Sequence, residues 1–181
     1  MGTGYQVRGY LHRRGSKMKI FLSLAVVALI VPYASAQTTV LDTATHDNIL
    51  IGPVNRATID STTWYQSNSQ LYTPTQEVIR SIDSLAAGDS VLVVFGSWCP
   101  DSHIWVPIFM NIADSTRLGN RIQFLAVPRS SGGQQKLTPG LNIEKVPTFI
   151  FYHDGKELGR IVETPHGDFG EDIIDILENG K

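Results

Sequence analysis

The stretch VLVVFGSWCPDS, residues 91–102, decides the fold class of this chain. Its first half, 91–95, is an uninterrupted apolar run, which is typical of a central strand buried on both faces of a sheet. Its second half brings Trp98, Cys99 and Pro100 to the start of a helix, where proline is favoured at the first position. Cys99 is the only cysteine among the 181 residues, so any thiol chemistry depends on this side chain.

Helix and strand signals alternate on both sides of this stretch. A helix opens at Thr73, with Pro74 in its first position and Gln76 completing a capping box. Asp168 and Glu171 give a similar start to the last helix. The other predicted elements are strands at 49–51, 90–96 and 122–127, a helix over 101–118 interrupted at Pro107, a mobile Gly/Ser/Gln loop at 130–135, and a hairpin of strands 148–152 and 157–162. This order predicts an α/β fold with a central mixed sheet of four to five strands flanked by helices.

The first 36 residues carry the pattern of a secretory signal peptide. A basic flank precedes an apolar run at 20–31, and small residues ending in Ala36 form a cleavage site of the A-x-A type. The run is shorter than the roughly 20 apolar residues that a membrane-spanning helix needs. We therefore expect export to the periplasm or the extracellular space, cleavage between Ala36 and Gln37, and no stable membrane anchor afterwards. Residues 1–16 either extend the signal or precede a true start at Met18.

The remaining residues, 37–181, are enough for one domain with its own core. We interpret 37–72, which is polar, as an N-terminal extension that packs on the core, and 73–181 as the main domain. All 17 acidic residues and ten of the 15 basic ones fall in this part, so its net charge is about −7. An acidic chain without clusters of lysine and arginine argues against nucleic acid or an anionic membrane as partner.

The histidines do not form a metal site by their spacing. His46, His153 and His166 are scattered along the chain without the intervals that metal ligands show. We therefore predict no metal and no cofactor, and we expect a monomer.

Four features together resemble the thioredoxin superfamily, and in particular bacterial thioredoxin-family proteins with W-C-x-D-C or W-C-x-D-S sites. They are the strand leading to Trp98-Cys99-Pro100, a proline eight residues after the cysteine, Val146-Pro147-Thr148 before a strand, and the Asp154-Gly155 hairpin. The resemblance covers 73–181 and implies a thioredoxin-like fold behind a short N-terminal extension. It also implies that Pro147 is cis and packs against Cys99, and that Val146 offers backbone hydrogen bonds to an extended substrate. Trp98 and Pro100 are then part of the substrate-binding surface.

Two departures from the family pattern change the expected chemistry. Ser102 stands where the family usually has a second, resolving cysteine, and Val93 stands where it usually has a buried carboxylate. Cys99 and Ser102 are the candidate catalytic residues, since Ser102 can donate a hydrogen bond to a thiolate without resolving an adduct. The alternative for Ser102 is a hydroxyl that serves the helix start. With one thiol, the pattern favours isomerase, thiol-transfer or capture chemistry over dithiol reduction, with protein thiols or disulfides and a small thiol such as glutathione as partners.

Other interpretations of Cys99 remain open at this point. A single cysteine in an exported chain is a reactive thiol, an intermolecular bridge or an inert buried residue. The main alternative to exchange is a non-catalytic binding module that uses the groove beside Pro147 for an extended peptide. A one-cysteine peroxidase is disfavoured because Gly96 occupies the position where such enzymes usually carry threonine. Near the thiol, a protonated His103 would favour the thiolate and Asp101 would oppose it. Arg129 either reaches the active-site end of the sheet or is a solvated loop charge.

Overall fold

The structure is a computed structural model that describes residues 1, 2 and 38–180. The predicted signal segment, 1–36, lies outside the described residues apart from residues 1 and 2. The elements in chain order are β1 Thr38–Leu41, β2 Asn48–Val54, α1 Arg56–Asp60, α2 Thr63–Asn68, α3 Gln76–Leu85, β3 Asp89–Phe95, α4 Pro100–Asp114, a 3-10 helix Arg117–Asn120, β4 Ile122–Ala126, α5 Ser131–Leu137, β5 Thr148–His153, β6 Lys156–Val162 and α6 Phe169–Asn179. Across these described positions, no helix is both long enough and apolar enough to span a membrane.

Within residues 38–180, six strands form one mixed sheet in the order β1-β2-β4-β3-β5-β6. The central strands β3 and β4 are parallel, and the other neighbouring pairs are antiparallel. The predicted α/β class with a mixed, helix-flanked sheet is confirmed. The predicted strand at 49–51 is β2, which pairs directly with β4, and the sheet exceeds four to five strands because the segment before it adds β1.

The sheet separates two clusters of buried side chains because successive residues of a strand point to opposite faces. Val93 and Phe95 face the larger cluster, to which α1, α2, α3, α4 and α6 all contribute buried side chains. Val94 faces a smaller cluster that contains Cys99. Burial on both faces of the sheet thus explains the uninterrupted apolar run of β3. The thiol belongs to the smaller cluster, on the side opposite the main core.

The N-terminal cap of α3 differs from the prediction. The predicted cap was Thr73 with Gln76 closing a capping box, but the helix is capped by Thr75, whose hydroxyl accepts a hydrogen bond from the Val78 amide at 3.2 Å. With the cap at Thr75, Glu77 lies in the first turn, where the helix dipole favours an acidic side chain. The prediction of Thr73 as the cap was therefore wrong by two residues.

The predicted mobile loop at 130–135 was also wrong, because helix α5 occupies most of it. Gly133 is a packing residue there: a Cβ at this position would lie 2.5 Å from Cγ of Pro128. The Gln134 side chain donates to the Pro128 carbonyl at 3.1 Å, and Leu137 packs against the smaller cluster. The glycine that suggested flexibility instead allows the helix to lie close to the end of β4.

Helix α4 runs continuously through Pro107 rather than being interrupted there. It ends at Asp114, and the later part of the predicted 101–118 helix forms the separate 3-10 helix. The hairpin and the last cap are as predicted. Asp154 and Gly155 have φ angles of 48° and 79°, which suits a two-residue hairpin turn, and the Asp168 carboxylate accepts from the amide of Gly170 at 2.8 Å.

Tyr72 is expected to ionise about two pH units above a free tyrosine. Its hydroxyl donates to Oδ1 of Asp168 at 3.0 Å, and burial followed by this hydrogen bond raises the pKa of Tyr72 to about 12. The unfolded chain ionises first, near pH 10, so the fold loses stability as the pH rises from about 10 to about 12. Titration of tyrosinate absorbance should show a last step near pH 12 that Tyr72→Phe removes. Removal of a step near pH 10 instead would contradict this assignment.

Candidate active site

The turn between β3 and α4 presents Cys99 as the N-cap residue of the helix. The Cys99 amide donates to the Gly96 carbonyl at 2.9 Å, and the Cys99 carbonyl accepts from the His103 amide at 3.1 Å. Pro100 is exposed at the first helical position, where a missing N–H costs no intrahelical bond. The side chain of Cys99 makes no capping bond to the helix. The sequence thus places a thiol at the N-terminal, positive end of a 15-residue helix.

The thiol itself is nearly covered. Cys99 is 6% exposed and is a free cysteine, and its Sγ donates to the carbonyl of Val146 at 3.3 Å. Leu137 and Ile143, from α5 and the loop after it, pack against the same small cluster. An incoming disulfide must therefore displace the Sγ–Val146 bond and reach the sulfur past this cover.

The loop that contains Val146 and Pro147 is held on both sides. The Val146–Pro147 peptide bond is cis in this structure. The Pro147 carbonyl accepts from the Glu163 amide at 2.7 Å, and the Thr148 hydroxyl donates to the Lys145 carbonyl at 2.6 Å. Of the predicted substrate-binding residues, Val146 contacts Cys99, and Pro147 follows it in this braced loop.

Ser102 is fully buried one turn into α4. Its hydroxyl oxygen accepts a hydrogen bond from the Gly96 amide at 3.2 Å. This bond ties the β3–α4 turn to the helix, which matches the helix-start alternative for Ser102. Between these two described residues, no hydrogen bond joins the Ser102 hydroxyl to the Cys99 sulfur.

His103 points away from the thiol. Its ring stacks on Trp64 with centroids 4.8 Å apart, and Nε2 lies 2.8 Å from the Ser97 carbonyl oxygen. The Ser97 hydroxyl in turn accepts from the Leu50 amide in β2 at 2.8 Å. His103, the candidate for tuning the thiol, instead helps to hold the turn, and the N-terminal extension contributes to the same bracing.

Trp98 is half-buried and is fixed by three neighbours. Its indole Nε1 donates to the Val127 carbonyl at 2.8 Å. The ring lies so close to Gly96 that a Cβ there would be 2.7 Å from the indole Cε2. The guanidinium carbon of Arg129 lies 4.5 Å from the centre of the ring, within the range of a cation–π contact. Arg129 is therefore at the site, as one of the two sequence-based alternatives had it.

Sequence reasoning missed the residues that support this arrangement from a distance. Asp42, which pairs with Arg129, lies 87 positions before it, and no local motif marks the pair. Ser97 and Leu50 are 47 positions apart. In the described chain, no group of three or more histidine, cysteine or acidic side chains is close enough to hold a metal ion.

Comparisons with known proteins agree with this geometry. The family model described as Thioredoxin matches residues 54–168. A thioredoxin of Malassezia sympodialis is 29% identical over 91 residues, which is 48% of this chain and 84% of the relative.

Two solved structures show weaker likeness. A protein of unknown function from Pseudomonas aeruginosa has a TM-score of 0.46 at 20% identity, covering 72% of this chain and 87% of that one. Oxidised thioredoxin O2 from Arabidopsis thaliana has a TM-score of 0.35 at 19% identity, covering 56% and 86%. Because both scores are low, the family assignment depends on the family match alone.

Proposed function

Because this chain belongs to the thioredoxin family, whose general chemistry is thiol–disulfide exchange, we propose that it exchanges disulfides through Cys99 alone. The observation that carries the proposal is the position of the Cys99 sulfur. It lies at the N-terminus of α4 and contacts the Val146 carbonyl at 3.3 Å, beside Pro147. A disulfide that enters between these elements and displaces this bond meets both the nucleophile and the Val146 carbonyl.

In the proposed reaction, the Cys99 thiolate attacks one sulfur of a substrate disulfide. A bond forms between Sγ of Cys99 and that sulfur while the substrate S–S bond breaks, and the second sulfur leaves as a thiolate. Another thiol must then attack the mixed disulfide. A thiol of the same substrate gives isomerisation, and a small thiol such as glutathione gives thiol transfer.

The lack of a second cysteine supports this slow, capture-like chemistry. Ser102 is bonded to Gly96 and has no sulfur with which to release an adduct. Val93 is fully buried in β3, where it provides no group for moving a proton. Without an external thiol, the adduct on Cys99 is therefore long-lived.

We also propose that the protein works outside the cytoplasm, after removal of residues 1–36. The support for this is the order of basic flank, apolar run and A-x-A site in the sequence. Disulfide-bonded substrates persist in such compartments.

The proposal is tested by trapping the adduct. The purified protein is mixed with a peptide disulfide, and the intact mass is measured before and after a reducing agent. We expect a mass increase of one half-peptide per chain that the reducing agent reverses, and no increase for Cys99→Ala. Ser102→Ala is the matched control and should still form the adduct.

Exchange would be contradicted if the native protein formed no adduct with the peptide disulfide while the thiol of the denatured protein did react. A second candidate function would then apply, because the thiol is only 6% exposed and is bonded to Val146. In that case the protein is a binding module, and an extended peptide should bind wild type and Cys99→Ala with equal affinity.

A further inference from the structure

Arg129 connects the N-terminal hairpin to the tryptophan next to the thiol. Its guanidinium carbon lies 4.5 Å from the centre of the Trp98 ring, and its Nε donates to Oδ2 of Asp42 at 3.0 Å. Arg129 follows β4, whereas Asp42 follows β1, the edge strand of the sheet. Two segments far apart in the sequence therefore converge on one indole ring.

Asp42, the anchor of this contact, is held by hydrogen bonds within its own loop. Its side chain is 8% exposed, and its Oδ1 accepts from the Ala44 amide at 3.0 Å. Its own amide donates to the Asp47 carbonyl at 2.7 Å, which closes the hairpin loop. The Ala44 bond first, and then Arg129, hold the pKa of Asp42 below its usual value, so the carboxylate stays charged at neutral pH.

Trp98 is the group that this anchor controls. The ring is adjacent in sequence to Cys99 and packs against the cluster that contains the thiol. Its indole N–H bond to Val127 and its close approach to Gly96 fix two of its sides. Arg129 is 40% exposed in its side chain, so it covers the ring from the solvent side as a cation with a fixed counter-ion.

We propose that Arg129 is a positioning residue that holds the Trp98 ring in place for peptide disulfides that dock at Cys99, with Asp42 as its anchor. This inference rests on the proposed exchange through Cys99. It implies that the hairpin of β1 and β2, which lies almost wholly before the residues of the family match, contributes to the site.

Loss of the Arg129 contact should affect the reaction with large substrates more than the reaction with small ones. A peptide disulfide needs the tryptophan surface next to the thiol, whereas a small methylthiolating reagent needs only the sulfur. Loss of Arg129 should therefore slow adduct formation with the peptide and leave the small reagent almost unaffected. A merely structural role would change both rates together.

The experiment uses the full chain with Arg129→Met, Arg129→Lys and Asp42→Asn. Arg56→Met is the matched control, because Arg56 also forms carboxylate pairs and lies over a tyrosine ring, at 5.6 Å. The first readout is NMR hydrogen exchange of the Trp98 indole N–H, which is assigned with Trp98→Phe. The second is the rate of adduct formation with the peptide disulfide and with the small reagent.

For Arg129→Met we expect about tenfold faster indole exchange and about tenfold slower reaction with the peptide, which is within the range of a partly exposed cation–π contact. Arg129→Lys should recover part of both effects because an ammonium can also lie over the ring. Asp42→Asn should also speed indole exchange and slow the reaction with the peptide, but by a smaller factor than Arg129→Met. Arg56→Met should change neither.

Indole exchange that is unchanged in Arg129→Met would overturn the inference, and so would faster exchange without a slower peptide reaction. Equal slowing of both reagents would assign Arg129 a general structural role and overturn it as well. The proposed function fails separately, if the wild-type protein forms no adduct with either reagent. The indole readout still tests the contact in that case.

Discussion

Replacing Ser102 by cysteine should give the protein dithiol turnover in the reduction of disulfides. Ser102 lies three residues after Cys99 at the start of α4, and residues at this spacing are neighbours on a helix. A disulfide joins residues whose Cα atoms are about 4.4–6.8 Å apart, which such neighbours satisfy. The Ser102→Cys side chain is similar in size to serine, so we expect the fold to be retained.

The gain comes from intramolecular release of the adduct. After Cys99 has captured one half of a substrate disulfide, the introduced thiolate attacks Sγ of Cys99 and expels the second substrate thiolate. The substrate is reduced by two electrons, and the protein is left with an internal disulfide that dithiothreitol reduces again. A tethered thiol has an effective concentration on the order of mM. This is roughly a thousand times the concentration of protein in a micromolar assay, so release of the adduct by a protein thiol should accelerate about a thousandfold.

Insulin reduction, followed by turbidity in the presence of dithiothreitol, measures this gain. Ser115→Cys is the matched control, since Ser115 is the C-cap of the same helix and its thiol cannot reach Cys99. We expect activity above the dithiothreitol background for Ser102→Cys only. A Ser102→Cys protein with a normal thermal melt and no insulin reduction would show that the rest of the site does not support exchange.

Truncating Phe149 to alanine should cost about 3–5 kcal/mol of unfolding free energy. Phe149 lies in β5 and is fully buried, with ring centroids 5.0 Å from those of Phe109 in α4 and Phe169 in α6. It therefore joins the sheet to the two helices, and its loss leaves a cavity that three elements line. Domains are stable by only about 5–15 kcal/mol, so this change approaches the whole stability of a marginal one.

Urea unfolding, monitored by circular dichroism, measures the unfolding free energies of the wild type and of Phe149→Ala. Val162→Ala on the neighbouring strand is the control, because Val162 is 38% exposed and should change the unfolding free energy by less than about 0.5 kcal/mol. If the two variants differed by less than 1 kcal/mol, the aromatic cluster would not be the centre of the core.

The sequence predicted those parts of the site that are local. The apolar run of β3 and the order tryptophan, cysteine, proline identify a buried strand followed by a helix start, and β3 and α4 lie where this pattern placed them. The hairpin turn at Asp154 and Gly155 is equally local, because two residues with positive φ suffice to reverse the chain.

What the sequence could not predict depends on packing between distant segments. The glycines in 130–135 indicate a loop when read locally, whereas in the fold Gly133 lies close against Pro128 within a helix. The pairing of Asp42 with Arg129 requires that β1, β2 and β4 already be assembled in one sheet. The edge strand β1 was missed for the same reason, since a short, exposed segment becomes a strand only when a partner, here β2, offers its edge.

The order of the strands also bears on where this protein can be cut. The family match begins at residue 54 and ends at 168, so β1, nearly all of β2 and the whole of α6 fall outside it. A fragment cloned to those limits would expose the hydrogen-bonding edge of β4 and the apolar surface under α6, both of which promote aggregation. Expression boundaries for this domain are therefore better set by the sheet, from Thr38 to the end of α6, than by the extent of sequence similarity.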